Sequence, residues 1–194
     1  MGLLKSPFRK EDRVCPWWLA WTFDNPLRRF FQEPEKIVGP FVREGMTVAD
    51  IGCGMGYFTI PMAKIAGAKG TVLAVDIQEK MLEFTDRRAK RAGVGDRVRT
   101  IRASGDDIGI GEPVDLVLAF WMVHEVKDIP RFFGQLSSVL KEGGKILYVE
   151  PLFHVTERRF REILGYAKAA GLRTNEVPRI AFSRAVLLSK EGPS

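Results

Sequence analysis

Three glycines at alternate positions mark the first place where this chain could do chemistry. They lie in Asp50-Ile51-Gly52-Cys53-Gly54-Met55-Gly56, after a short apolar run and before a helical pattern. Glycines spaced this way let the backbone turn tightly and approach a ligand without Cβ clashes. The helix that follows adds unpaired N–H donors. A dinucleotide fingerprint reads G-x-G-x-x-G; here the third glycine comes early, and Tyr57 stands where that pattern wants glycine. G-x-G-x-G after an acidic residue suits a ligand with a carboxylate and an amine better than a pyrophosphate. Asp76 ends the next apolar run, close to the ~20-residue separation of a carboxylate that accepts two hydrogen bonds from ribose hydroxyls. Its alternative role is to cap the helix that starts just after it. Ala103-Ser104-Gly105-Asp106-Asp107 offers carboxylates that can accept from an exocyclic amine, which is how a site selects adenine. A solvated acidic turn explains Asp107 better than Asp106.

These groups need a scaffold, and the chain alternates between two periodicities that supply one. Strands are expected at Val48–Ile51, Thr71–Val75, Val98–Arg102, Val114–Phe120 and Lys145–Val149. Helices are expected at Tyr57–Ala66, Gln78–Ala92, Pro130–Leu140 and Glu157–Ala170. In the second helix Met81, Leu82, Thr85 and Ala89 fall on one face, with Arg and Lys on the other. The run Val114–Phe120 is apolar enough to lie central and buried on both faces. Two more strands, near Leu172–Val177 and Ile180–Leu188, follow each other with no room for a helix, so one should run antiparallel. Alternation of this kind predicts an α/β fold: a doubly wound, Rossmann-like, seven-stranded and mostly parallel sheet with helices on both faces. Its ligand crevice should open at the C-terminal strand ends, where strand order reverses. Residues 1–34 lack the alternation and read as an appended N-terminal helical segment on a domain of residues 35–194.

Composition bounds the rest. The chain has 194 residues, 45% hydrophobic and 28% charged, which fits one soluble domain and argues against disorder. No apolar stretch approaches the ~18 residues of a membrane span. Two cysteines, Cys15 and Cys53, cannot build a cysteine-based zinc site, and no metal is expected. With no export signal at the N-terminus, reduced thiols and a cytoplasmic location are expected. Met1-Gly2-Leu3-Leu4-Lys5-Ser6 fits a short myristoylation pattern, but the pattern often arises by chance and an ordinary flexible terminus is the preferred reading. The net charge is +6 and scattered. Its densest cluster, Arg87, Arg88, Lys90 and Arg91, reads as a solvated helix face rather than a nucleic-acid surface.

Taken in order, the motifs resemble class I S-adenosylmethionine-dependent methyltransferases. Val48 to Gly56 is similar to their first motif, Asp76 to their ribose acid, and Gly105-Asp106 to their adenine-side motif. Asp115-Leu116-Val117-Leu118 through His124-Glu125 is similar to the strand-four motif of the small-molecule branch. Leu140-Lys141-Glu142-Gly143-Gly144-Lys145 through Glu150-Pro151 is similar to the turn into strand five. The resemblance runs from about Glu35 to the C-terminus, and the branch looks like that of the ubiquinone/menaquinone methyltransferases. It implies S-adenosylmethionine as cofactor and a small-molecule methyl acceptor. Gly52, Cys53 and Gly54 would line the methionine moiety, with Asp50 holding the loop and reaching the amino group. Asp76 and Ile77 would hold ribose and adenine, and Gly105, Asp106 and the Asp107 backbone the adenine edge. Ala119 and Phe120 would bring the donor's amino group beside the acceptor pocket.

Methyl transfer from a sulfonium needs alignment and exclusion of water, and a base when the acceptor is an alcohol, phenol or carbon acid. His124 and Glu125 are the base candidates inside a motif; a packed helix-opening histidine is the alternative for His124. His154 could line the acceptor pocket. Cys15-Pro16-Trp17-Trp18-Leu19-Ala20-Trp21-Thr22-Phe23 holds three of the four tryptophans. Trp17, Trp18 and Trp21 could form an aromatic lid over a flat or apolar acceptor; ordinary core or a homodimer contact are the other readings. Trp121 and Phe120 could form the pocket floor. Phe120-Trp121-Met122-Val123 stands where base-methylating enzymes carry D/N-P-P-Y/F, and neither cysteine is placed for cytosine C5 chemistry. Small-molecule methyl transfer is therefore expected. RNA or protein methylation and non-catalytic donor binding are the alternatives, and nucleic acid is not the expected partner.

Overall fold

The computed structural model describes residues 31–190. Trp17, Trp18, Trp21 and the N-terminal Met-Gly pattern lie outside them. The described chain runs α1 (Pro34–Val38), β1 (Thr47–Ile51), α2 (Thr59–Ala66), β2 (Thr71–Asp76), α3 (Glu79–Arg91), β3 (Val98–Arg102) and β4 (Val114–Phe120). It continues with α4 (Ile129–Val139), β5 (Leu140–Pro151), α5 (Glu157–Ala169), β6 (Leu172–Glu176) and β7 (Ser183–Lys190). The strands form one sheet in the order β3-β2-β1-β4-β5-β7-β6. The first five pair in parallel, and β7 is antiparallel to both β5 and β6.

Side-chain patterning explains the layers. On α3 the buried residues are Met81, Leu82, Thr85 and Ala89, while its Arg and Lys residues complete the outer face. One side of the sheet packs Val48, Val72, Leu116, Leu118, Leu147 and Val149 against Met62, Ala63 and Ala66 of α2. Val38 and Val42 join that cluster, so the chain from α1 onward is built into the domain core. The other side packs Ala49, Leu73, Val117, Ile146 and Tyr148 against Phe132, Phe133 and Leu136 of α4 and Phe160 and Ile163 of α5. Strand β4 sits in the middle of the order and buries residues on both faces, as its unbroken apolar run requires.

Two expected boundaries move by three residues or more. Strand β5 starts at Leu140 rather than Lys145, directly on the end of α4. Pairing with β4 jumps from Val114↔Leu140 to Leu116↔Lys145, and the turn around Gly143 at φ 74° takes up the extra residues. Strand β7 starts at Ser183 rather than Ile180, because the chain from Val177 to Phe182 forms an open loop. Asp115 and Lys141, both inside the motifs above, act at the opposite end of the sheet from the glycine loop. Asp115 accepts from the Thr47 N–H and from Lys141 Nζ, each at 2.8 Å, and so ties β1, β4 and β5 together.

Candidate active site

Strand order reverses between β1 and β4, and the loops that leave their C-terminal ends meet there. Gly52, at φ 71°, faces the loop after β4 so closely that a Cβ would lie 2.9 Å from Met122 Cγ. Gly54, at φ 54°, is different: a Cβ there would meet no protein atom within 4 Å. One glycine is required by the protein's own packing, and the other keeps a space open.

Asp76 closes this loop from the side. Its Oδ2 accepts the Gly54 N–H at 3.0 Å and its Oδ1 accepts the Gln78 N–H at 2.9 Å. The carboxylate is therefore tied to the glycine loop and only 8% exposed. Burial pushes its pKa above the usual carboxylate range, against the opposing pull of the N–H groups of Gln78, Gly54 and Ile77. Ile77 beside it is an exposed apolar side chain, 42% accessible, at the mouth of the crevice. A carboxylate with remaining lone pairs next to an open glycine and an exposed apolar side chain fits a ribose with an adenine beyond it.

Asp50 and Cys53 lie deeper. Asp50 is buried and its Oδ2 accepts from Thr59 Oγ1 at 2.5 Å, which anchors the glycine loop to α2. Cys53 is buried, and burial, with the charges of Asp50 and Asp76, pushes its thiol well above its ordinary pKa. The thiol form is therefore favoured at neutral pH. Thr85 of α3 adds a partner that sequence reasoning missed: its hydroxyl donates to the Gly54 carbonyl at 2.8 Å. Arg88 likewise donates to the Met55 carbonyl at 2.9 Å, so part of the basic helix face clamps this loop.

On the adenine side, Gly105, Asp106 and Asp107 are exposed in the loop after β3. Asp107 Oδ1 accepts the Gly109 N–H at 2.8 Å, so it shapes the turn. Gln135 of α4 holds the loop at both ends, donating to the Asp106 carbonyl at 2.7 Å and accepting the Ile108 N–H at 2.9 Å. Gln135 was not legible as a site residue, since it lies on a helix remote in sequence.

The other half of the crevice is aromatic. Ala119 and Phe120 end β4 in the core, and Phe120 packs on Phe58 at 4.5 Å between ring centroids. Trp121 then leaves the strand at φ 60°, a left-handed conformation that costs a bulky residue about 1–3 kcal/mol. Its backbone N–H donates to Val149 O at 2.8 Å and its Nε1–H to Ser183 Oγ at 3.0 Å, which together hold it there. Phe153 stands edge-on to Trp121 at 5.6 Å, and His154 edge-on to His124 at 5.7 Å. Phe153 also stands edge-on to His154 at 5.0 Å, so a chain of ring contacts runs from Trp121 through Phe153 and His154 to His124. His124 is fixed by Glu150, which was missed: Oε1 accepts the His124 backbone N–H at 2.9 Å and Oε2 meets Nδ1 at 2.7 Å. Glu125 Oε1 is 3.9 Å from His124 Nε2, beyond hydrogen-bond reach. The chain enters this edge at Gln32, which donates to Ala181 O at 2.9 Å and whose carbonyl accepts the Tyr57 hydroxyl at 2.8 Å. Tyr57, the residue out of place for a dinucleotide fingerprint, therefore pins the incoming chain. Among the described residues no cluster of three acidic, histidine or cysteine side chains is placed to hold a metal ion. No described helix is long and apolar enough to cross a membrane.

The sheet order, the glycine loop and the acid that ends β2 define the class I S-adenosylmethionine-dependent methyltransferase fold. Comparison with known proteins agrees. The chain belongs to the methyltransferase-domain family, whose pattern matches residues 48–144, half of its 194 residues. It is 32% identical over 162 residues to a ubiquinone biosynthesis O-methyltransferase of Chelativorans sp. (strain BNC1), covering 82% of this chain and 58% of that protein. It is 31% identical over 139 residues to the protein of the same name from Rhizobium johnstonii, covering 72% of this chain and 53% of the relative. The chain thus spans a little over half the length of these curated relatives. A crystal structure of a SAM-dependent methyltransferase from Aquifex aeolicus superimposes with a TM-score of 0.80 at 23% identity, over 90% of this chain and 98% of that one. A Clostridium acetobutylicum S-adenosylmethionine-dependent methyltransferase superimposes with a TM-score of 0.70 at 15% identity, over 90% of this chain and 98% of that one.

Proposed function

We propose that this protein transfers the methyl group of S-adenosylmethionine to a small aromatic or apolar acceptor. The observation that carries the reading is the clasp between the Asp76 carboxylate and the Gly54 N–H beside an open glycine position at the switch point. When bound, the donor supplies a sulfonium methyl that is already activated, so the chain's own residues need to bind, orient and dry the reactants. Gly52, Cys53 and Gly54 face the methionine moiety, Asp76 and Ile77 take ribose and adenine, and the loop of Gly105, Asp106 and Asp107 borders the adenine edge. Trp121, His124 and His154 lie on the acceptor side. The reading keeps Trp17, Trp18 and Trp21, which lie outside the described residues, as acceptor walls. The reading includes the cytoplasmic location expected from the sequence.

Calorimetric titration with S-adenosylmethionine, S-adenosylhomocysteine and NAD tests it. Micromolar binding of the first two and none of NAD is expected. Failure of both adenosyl compounds to bind overturns the reading.

The raised pKa of Asp76 adds a pH dependence. The ionised carboxylate is the better acceptor for ribose hydroxyls. A carboxyl whose pKa is raised by burial takes up its proton at higher pH than an ordinary one. Donor affinity should therefore fall on acidification, beginning above the usual carboxylate value of about 4. Titrations from pH 8 downward check this; an affinity flat down to pH 4 would contradict it.

A further inference from the structure

Glu150 is fully buried at the end of the apolar run Ile146–Val149 of β5. A buried carboxylate needs partners, since leaving it unpaired costs several kcal/mol. Here the partners are mostly one residue. Glu150 takes the backbone N–H of His124 with one oxygen and meets Nδ1 of the ring with the other. Tyr148 supports it, its hydroxyl donating to Oε1 at 3.4 Å. A cap for the short turn Val123–Glu125 would need only the backbone contact. The second contact fixes the ring's orientation and its tautomer.

We propose that Glu150 is a positioning residue that holds His124 with its proton on Nδ1, so that Nε2 takes the proton of a hydroxyl acceptor as that oxygen is methylated. This rests on the methyl-transfer reading above. The step balances: the O–H bond breaks and its proton goes to Nε2, the O–CH3 bond forms, and the electron pair of the S–CH3 bond stays on sulfur. The imidazolium later releases the proton to solvent. The acceptor class is a hydroxyl that is still protonated at working pH, and the Trp121 and Phe153 rings alongside favour a phenol. A thiol that is already ionised has no use for this base.

The groups facing His124 come from three places. Glu150 and Tyr148 come from β5, Glu125 from the same turn, and the His154 ring from the loop after β5. Arg159 of α5 acts on Tyr148. Burial disfavours the charged ring, but the Glu150 hydrogen bond and charge, with the charge of Glu125, outweigh it and leave the His124 pKa raised. The base form is therefore gained as pH rises through a value above the ordinary 6.5 or so of histidine. Removing the charge of Glu150 should move that value down.

Glu150→Gln keeps the shape and removes the charge. It should be compared with wild type on a panel of para-substituted phenols and matched thiophenols, with S-adenosylhomocysteine affinity measured alongside. We expect about a tenfold lower rate with the phenols, and thiophenol rates and affinity within twofold of wild type. Nitrogen-detected NMR of His124 should show a lower pKa and a mixture of tautomers in the variant. The wild-type rate with phenols should rise with pH through the NMR value. An equal fall with both acceptor types would make Glu150 merely structural and overturn the proposal. So would no fall at all, or a wild-type protein that binds the donor and methylates no phenol. If Glu150→Gln does not fold, His124→Gln must show the same split between phenols and thiophenols, and an equal fall with both overturns the proposal. A wild-type protein that binds no adenosyl compound overturns the underlying reading instead.

Discussion

Asp76→Ala should weaken S-adenosylmethionine binding by ten- to hundredfold in calorimetric titration. The magnitude follows from the bonds at stake. Hydrogen bonds to a charged group contribute about 1.5–3 kcal/mol each, and a hundredfold loss is about 2.7 kcal/mol. Asp76 also accepts from the N–H groups of Gly54 and Gln78, so its removal loosens the loop as well as deleting the acceptor. Asp76→Asn separates the two effects. The amide keeps one acceptor oxygen and the side-chain volume, so it can retain the Gly54 contact while losing charge-assisted bonding to the ribose. We expect the Asn variant to melt near wild type and to bind the donor more weakly than wild type but better than Ala. Wild-type affinity in the Ala variant would place the ribose elsewhere and remove Asp76 from the site.

The half of the crevice that we assign to the donor was legible because its signals are local in sequence. Glycines at alternate positions, an acid at the end of the next strand and a short acidic turn after the third are each written within a few residues. Strand alternation alone places them at one edge of a parallel sheet. The partners that stiffen this half were not legible. Thr85, Arg88 and Gln135 lie on helices, where a polar residue looks the same whether it faces solvent or a loop carbonyl. The acceptor half depends still more on tertiary structure. Glu150 meets His124 only because β4 and β5 are neighbours. Its one signal in the sequence is a carboxylate directly after the apolar run Ile146–Val149, which the motif reading treated as part of a turn. The left-handed Trp121 carried no signal at all, since backbone strain of this kind is imposed by the partners Val149 and Ser183. Asp115 shows the converse: it belongs to a motif of the site, yet it works at the far end of the sheet as a tie between strands.

Two glycines of the same loop differ in how they can be broken, and Gly54 is the more informative of them. Any side chain at Gly52 strikes Met122, so a variant there mixes misfolding with lost binding. At Gly54 an added Cβ meets no protein atom within 4 Å, and the obstacle to folding is the backbone conformation at φ 54°. Asparagine tolerates that region better than other residues with a side chain. Gly54→Asn should therefore fold, with a stability loss of about 1 kcal/mol, a melting temperature a few degrees below wild type, and the loop contacts of Asp76 and Thr85 intact. Its side chain would occupy the space next to the Asp76 carboxylate that the donor needs. The expected result is a loss of S-adenosylmethionine and S-adenosylhomocysteine affinity of a hundredfold or more in a protein that remains folded by circular dichroism. The same open space predicts a graded response: Gly54→Ala, with a single added carbon, should lose less affinity than Asn even though alanine is the worse residue for this backbone. If Ala and Asn lost affinity in proportion to their melting temperatures, the effect would be one of folding, and the space beside Gly54 would not be where the donor sits.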